Sequence, residues 1–319
     1  MTQSTRFMPV AMFAAPMGLC GLALATRSAQ AVLGVPAWLA ELWALIGVAV
    51  YVAVLVGYAV KLVAHRDAVR AEIANPATLG FFGAIAIATA LAAGCIGPHA
   101  LQVGRALWWI GALGIVVVQI YAMSRWLTGG IDLSQVNGGW LIAFIGPVPV
   151  AGPGLLLGEI EAARVIFGVS AVATPLILGL VMHRTILGPP LPDAMKPTSF
   201  IMLVPVALVY AYAPSLWGVT PGPMLDALFY FELVMAAAFL IVARRAVTWP
   251  FGVPWWAFTF PLDAAAVGAL AFANAHPTST GLAIGWVMWG QATIVVVIVL
   301  ARSVLAVTRG TLFVAPKSA

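Results

Sequence analysis

Residues 37–62 read AWLAELWALIGVAVYVAVLVGYAVKL. The stretch is almost wholly apolar and exceeds the roughly 20 residues that carry a helix across a bilayer. Nine further runs of the same kind occur at about 7–26, 79–96, 103–123, 140–157, 162–182, 199–216, 225–243, 255–273 and 281–304. Charged or Pro/Gly-rich breaks separate them. Composition agrees, with 63% of the 319 residues apolar and 8% charged, against roughly 45–50% and 25% in soluble domains. Mean hydropathy is +1.06. A soluble shell of this size must be polar, and a membrane barrel would show short alternating strands. The sequence therefore predicts an all-α integral membrane protein. Ten transmembrane helices form one membrane domain over residues 1–319, and short connections make them antiparallel hairpins.

The first run has a second reading, because Arg6, the apolar stretch and Ala29-Gln30-Ala31 resemble a signal peptide. Pro16 within the run and the pairing of spans favour a retained helix. Charge asymmetry sets orientation. With the N-terminus cytoplasmic, that side carries Arg6, Lys61, Arg66, Arg70, Arg125, Arg184, Lys196, Arg244, Arg245, Arg302, Arg309 and Lys317. Only Arg27, Arg105 and Arg164 fall on the other. This predicts a multi-pass protein of a bacterial inner (plasma) membrane with both termini cytoplasmic. The pI near 9.6 thus reports membrane orientation, with no nucleic-acid partner expected beyond the lipid bilayer.

Proline inside a helix removes a hydrogen bond and bends it, which lipid tolerates where the freed groups face protein or a water-filled cavity. Interior prolines fall mostly in odd-numbered spans: Pro16, then Pro147, Pro149 and Pro153, then Pro205, then Pro261. The third span has Gly83 instead. Among even-numbered spans only the sixth has one, Pro175. The skew predicts a hairpin repeated five times, with kinked odd helices around an inner cavity and straighter even helices outside.

Several function classes lack their residues. No paired nucleophile and base, and no His/Cys/Asp/Glu spacing for a metal, lies in the spans, so neither an enzyme nor a cofactor is expected. No phosphate-binding glycine loop occurs. Acidic rings for cations and carboxylate or histidine chains for protons are missing. Cys20 and Cys95 read as packing residues. A lumen of small residues, hydroxyls and kinks suits a monovalent anion, concentrated by the basic rim.

Pro254-Trp255-Trp256-Ala257-Phe258-Thr259-Phe260-Pro261-Leu262-Asp263 closely resembles the ninth helix of the tellurite-resistance/C4-dicarboxylate transporter family, related to the slow anion channels of plant guard cells. Phe13-Ala14-Ala15-Pro16-Met17-Gly18-Leu19 is similar to that family's first-helix opening. Val69-Arg70-Ala71-Glu72 followed by Asn75-Pro76 is similar to its second-to-third loop. The likeness covers about residues 6–313. It implies ten helices as five hairpins in quasi-fivefold symmetry around a central pore, assembled as a homotrimer. It also implies passage of small inorganic or organic anions, with Phe260 at the plugging position. Assignments across the family include chloride, nitrate, malate, sulfite and tellurite resistance. Two residues depart from the pattern: Ala14 stands where relatives have glycine, and Asp263 where many have a small or apolar residue.

The expected pore-lining or kink positions are Ala14, Pro16, Gly83, Pro147, Pro149, Pro205 and Pro261, with Phe260 as gate. An aromatic ring across a narrow lumen blocks by sterics and dewetting. Asp263, one helical turn from Phe260, reads either as a pH-sensing group or as a structural carboxyl, neutral or bonded to a neighbouring helix near Thr259. Two functions stay open: a passive gated anion channel, and a secondary transporter of a dicarboxylate or oxyanion, proton-linked through Asp263. Glu232 is expected in a helix or trimer contact, Glu159 and Glu161 in solvent. Trp38, Trp108, Trp109, Trp126, Trp140, Trp217 and Trp249 are expected in an interfacial belt.

Overall fold

The computed structural model describes residues 5–313, so Lys317 lies outside the described residues. Among those residues nine helices are long and apolar enough to cross a bilayer. In chain order the spans are Val10–Leu33, Ala37–Ala64, Pro76–Ile96 and Leu101–Leu127, then a bent pair, then Ile160–Leu187, Asp193–Trp217, Pro223–Ala243, Val253–Ala275 and Ser279–Thr308. The bent pair, Gly138–Ile145 and Pro147–Leu156, meets at 43° and is counted here as the fifth span. Thr5 and Met8 share a crevice with Leu312 and Phe313. Both ends of the described chain therefore lie at one end of the bundle, as ten crossings require.

Two classes of helix alternate. In the first, third, seventh and ninth spans 78%, 83%, 67% and 83% of the most apolar window is buried. The fifth is buried from Gly138 through Gly154. In the second, fourth, sixth, eighth and tenth only 33%, 33%, 28%, 28% and 28% is buried. The buried spans touch in a closed circuit: first on third, third on fifth, fifth on seventh, seventh on ninth, ninth on first. Each also packs against the exposed span that follows it. The exposed apolar faces, such as Val172, Leu176 and Val234, are what hydrocarbon solvates.

Every buried span changes geometry part-way. The first, third, seventh and ninth pass from a 3₁₀ segment to an α-helix at Ala14, Gly83, Val204 and Thr259. The fifth bends at Gly146. Five of the prolines are explained by these junctions, while Pro153 stays inside its helix. Pro16, Pro147, Pro149, Pro205 and Pro261 all fall within the first three residues of the new α-helix. First-turn N–H groups have no partner within the helix, so proline there costs little. These prolines mark a restart and do not kink a helix interior; in the third span the switch occurs with Gly83 and no proline.

Small residues let the buried spans approach closely. A Cβ on Gly80 would overlap the carbonyl of Gly139, and one on Gly138 the carbonyl of Thr198. Third, fifth and seventh spans thus meet backbone to backbone near their starts. A Cβ on Gly18 would overlap the Thr259 hydroxyl, joining first span to ninth. Ala29, in the A-x-A site of the signal-peptide reading, is fully buried inside the continuous first helix.

The three basic residues away from the terminal end each have a structural task. Arg27 donates to Gly94 O and Cys95 O, Arg105 to Leu157 O, and Arg164 to Leu216 O. These carbonyls close the third, fifth and seventh spans, where helix ends carry unpaired acceptors and partial negative charge. Each arginine also pairs with a carboxylate: Glu41 at 3.2 Å, Glu159 at 3.1 Å and Glu161 at 2.7 Å. Glu159 and Glu161 are therefore ion-paired, and Glu159 also accepts from the Trp109 indole.

Gly80→Ala and Gly138→Ala are expected to cost about 1–3 kcal/mol each, because rigid backbone cannot yield to an added methyl. Gly179, with nothing near its Cβ position, is the control. Thermal unfolding of the purified protein in detergent should show lower Tm for the first two variants and no loss for Gly179→Ala.

Candidate functional site

Four cavities follow one another through the bundle by sharing lining residues. At the terminal end a cavity of about 170 Å³ is bordered by Glu72, Thr78 and Thr198. It shares Ala14, Phe81 and Ala257 with a central cavity of about 40 Å³. The central cavity shares Pro149 and Phe260 with a pinch of about 10 Å³. That pinch shares Leu24, Tyr212 and Val267 with a vestibule of about 490 Å³ at the opposite end. One water needs roughly 10–15 Å³ of such volume, so the series narrows to a single molecule beside Phe260.

All five buried spans line the central cavity, each near its change of geometry. They contribute Ala14, Phe81, Pro149, Pro205 and Trp256, among others. The helix restarts are thus gathered at one level. Of the sequence-derived positions, Ala14, Pro149, Pro205, Phe260 and Pro261 meet in this lining. Pro16, Gly83 and Pro147 are buried outside it. A Cβ on Gly83 would lie 3.0 Å from Ile142 O and from Ile115 Cδ1, so this glycine serves helix packing. Phe81, Ile87, Leu141 and Ile142 join the wall. Nothing in sequence separates them from other apolar residues.

The Phe260 ring is held from behind by Gly21. A Cβ there would sit 2.8 Å from Phe260 Cδ2 and 2.9 Å from Asp263 Oδ2. Glycine at 21 therefore leaves room for both side chains at once. Asp263 borders the pinch and is 1% exposed. Neither of its oxygens has a hydrogen-bond partner among the described residues. Thr259 Oγ1 instead donates to Trp256 O, so the expected bond near Thr259 is not made. Glu232 is likewise buried without a partner. Its Oε2 would lie 2.7 Å from a Cβ on Gly268 of the ninth span, so it faces the protomer's own interior, and not a trimer contact.

The basic residues nearest the two end cavities, Arg27 and Lys61, are each paired with a carboxylate. Arg27 borders the large vestibule beside Ser28, Tyr212 and Asn274. At the terminal end Lys61, 2% exposed, lies 3.0 Å from Glu72 and donates to Met8 O at 2.8 Å. Glu72 also accepts from Tyr58 Oη and Val10 N. This knot fixes the first turn of the first span, from which Ala14 reaches the central cavity. Lys61 is therefore a buried ion-pair member as well as a topology marker.

The tryptophans divide. Trp38, Trp109 and Trp217 are exposed as an interfacial belt requires. Trp108, Trp140 and Trp249 are buried, with Trp108 donating to Val150 O and Trp140 stacked on Trp126. They plug helix–helix seams, which a count near span ends does not reveal. His276 faces Asp226 at 3.1 Å, and His99 faces Glu41 at 2.8 Å. No group of three metal-ligating residues exists among the described residues.

A bundle whose buried helices enclose a graded series of cavities defines a membrane transport protein. The sequence profile of the SLAC1 family, described as voltage-dependent anion channel, matches residues 8–304, and the chain belongs to that family. Its members are anion channels and transporters, not enzymes. The chain is 27% identical to an uncharacterized transporter of Methanocaldococcus jannaschii, over 66% of this chain and 67% of that one. It is 24% identical to the S-type anion channel SLAH3 of Arabidopsis thaliana over 93% of this chain, spanning about half (48%) of the plant protein. It is 23% identical to a tellurite resistance protein TehA homolog of Haemophilus influenzae, over 83% and 81% of the two chains.

Removing one member of a buried ion pair leaves an uncompensated charge and costs roughly 3–5 kcal/mol. Glu72→Gln should therefore lower stability by about 3 kcal/mol, the low end because Glu72 is partly exposed. Adding Lys61→Met should recover part of the loss. Unfolding of both variants in detergent checks the order.

Proposed function

We propose that the protein is a gated channel for small anions, with a central pore in each protomer and Phe260 as its plug. The carrying observation is that the Phe260 ring borders both the central cavity and the pinch beyond it. In this reading the five buried spans form a quasi-fivefold ring, each backed by its hairpin partner. Their closed circuit of contacts supports it. The plant relative's name, S-type anion channel, supports the anion class. An apolar wall suits ions that shed water readily, and the basic end would gather anions at one mouth.

The proposal places the protein in the bacterial inner membrane with both termini cytoplasmic and three protomers per assembly. The charge asymmetry supports that orientation, and its three exceptions are each neutralised by a carboxylate. Phe260→Ala, reconstituted in liposomes, should raise chloride, nitrate or malate flux severalfold over wild type. Unchanged flux in a folded variant removes the plug assignment.

A second reading is a secondary transporter or exporter of a dicarboxylate or oxyanion such as malate, sulfite or tellurite. The unpartnered Asp263 carboxyl beside the plug favours it, since an intramembrane acid is costly and commonly serves transport. An imposed pH gradient should then drive anion uptake in wild type and not in Asp263→Asn. Equal uptake by both proteins at every gradient eliminates proton linkage through this residue.

A further inference from the structure

An ion crossing the bundle through the four cavities meets almost no polar side chain in the middle. In the central cavity the one side chain bearing nitrogen or oxygen is Trp256, and its Nε1 is enclosed. The pinch has two such side chains, Asp263 and Tyr212. Both Asp263 oxygens are enclosed. Tyr212 Oη differs. It makes no hydrogen bond among the described residues and is not enclosed, and Tyr212 is partly exposed where it lines pinch and vestibule.

The position of this hydroxyl is fixed by a neighbouring glycine. Tyr212 is on the seventh span, and a Cβ on Gly152 of the fifth would overlap its phenol oxygen. Gly152 itself lines the vestibule. About one turn earlier in the same span, Pro149 lines the pinch. The phenol therefore reaches from the seventh span to the fifth where pinch and vestibule join. Gly152 leaves room for Tyr212 as Gly21 does for Phe260. Other vestibule donors are committed or lie in the open: Arg27 is paired with Glu41, Ser28 donates to Leu24 O, and Ser215 and Asn274 are exposed.

We propose that the Tyr212 hydroxyl sets anion preference by donating a hydrogen bond to a small inorganic anion at the threshold between pinch and vestibule. This rests on the anion-channel reading and adds the selecting group to it. The physical reason is dehydration. A narrow apolar passage favours ions that lose water easily, and groups in the wall that replace the lost shell shift that order. A hydrogen bond donated to an ion is stronger than one to a neutral acceptor. Chloride, compact and strongly hydrated, gains more from such a donor than thiocyanate, whose charge is spread over three atoms.

The test measures chloride and thiocyanate flux in liposomes for wild type and for Phe260→Ala, each with and without Tyr212→Phe, which deletes only the hydroxyl. The chloride-to-thiocyanate ratio should fall by about threefold or more. The Tm in detergent should stay at the value of the parent protein, because no protein partner is lost. Tyr210→Phe is the control. Its hydroxyl donates to Asp226 Oδ1 and it lines none of these three cavities, so it should lower Tm and leave the ratio unchanged. An unchanged ratio in Tyr212→Phe with anion flux present overturns the selecting hydroxyl and leaves the channel reading standing. A loss of Tm in Tyr212→Phe as large as in Tyr210→Phe shows a structural bond and overturns it too. No flux of either ion through wild type or Phe260→Ala removes the channel reading and this inference together.

Discussion

A backbone carbonyl or N–H left unpaired in hydrocarbon costs several kcal/mol, so irregular backbone survives at membrane depth only inside protein. The rest of this structure depends on that constraint. Five spans change helical geometry part-way, and these are the five whose neighbours bury them. The exposed spans run as continuous helices, including the sixth, which keeps its course through Pro175. At the most severe break, Gln119 of the fourth span donates to Phe144 O just before Pro147. The outer helices thus do more than face lipid; they let the inner ones be irregular, and that irregularity opens the central cavity.

The same economy governs charge. A buried or helix-end charge must be met by an opposite group, and nearly every basic residue inside the bundle is. Arg27, Arg105 and Arg164 close helix ends and are paired with acids, while Lys61 ties Glu72 to the first turn. Arg184 is an exception: it is buried and meets Pro189 O, with no carboxylate paired to it among the described residues. Asp263 and Glu232, both on or against the ninth span, have no partners among the described residues. They are the groups whose retention packing does not explain.

Much of the site could be read from residue order. Prolines in odd-numbered spans pointed to the inner helices, and the segment around Phe260 pointed to the residue that borders two cavities. The reading that prolines kink helix interiors was incomplete: Pro16, Pro205 and Pro261 occupy first turns after 3₁₀ segments, Pro147 and Pro149 the first turn after the bend at Gly146, and Pro153 alone of those named in odd spans lies inside its helix. Trp108 and Trp140 looked like belt residues because proximity to a span end is visible in sequence, whereas the face of the helix they occupy is settled by neighbouring helices. Gly21 had no sequence signal, since its role is the space it leaves for a ring 239 positions away.

Sequence alone determined the class of protein: a helical membrane protein, its ten runs, its odd–even alternation and its charge asymmetry. Each follows from partition of a local segment between water and hydrocarbon, which needs no knowledge of the rest of the chain. Tertiary structure decided which apolar residues face a cavity, which arginines close which helices, and that Asp263 has no partner. Those facts depend on distances between spans far apart in the chain, and partition energy is the same whichever neighbour covers an apolar face.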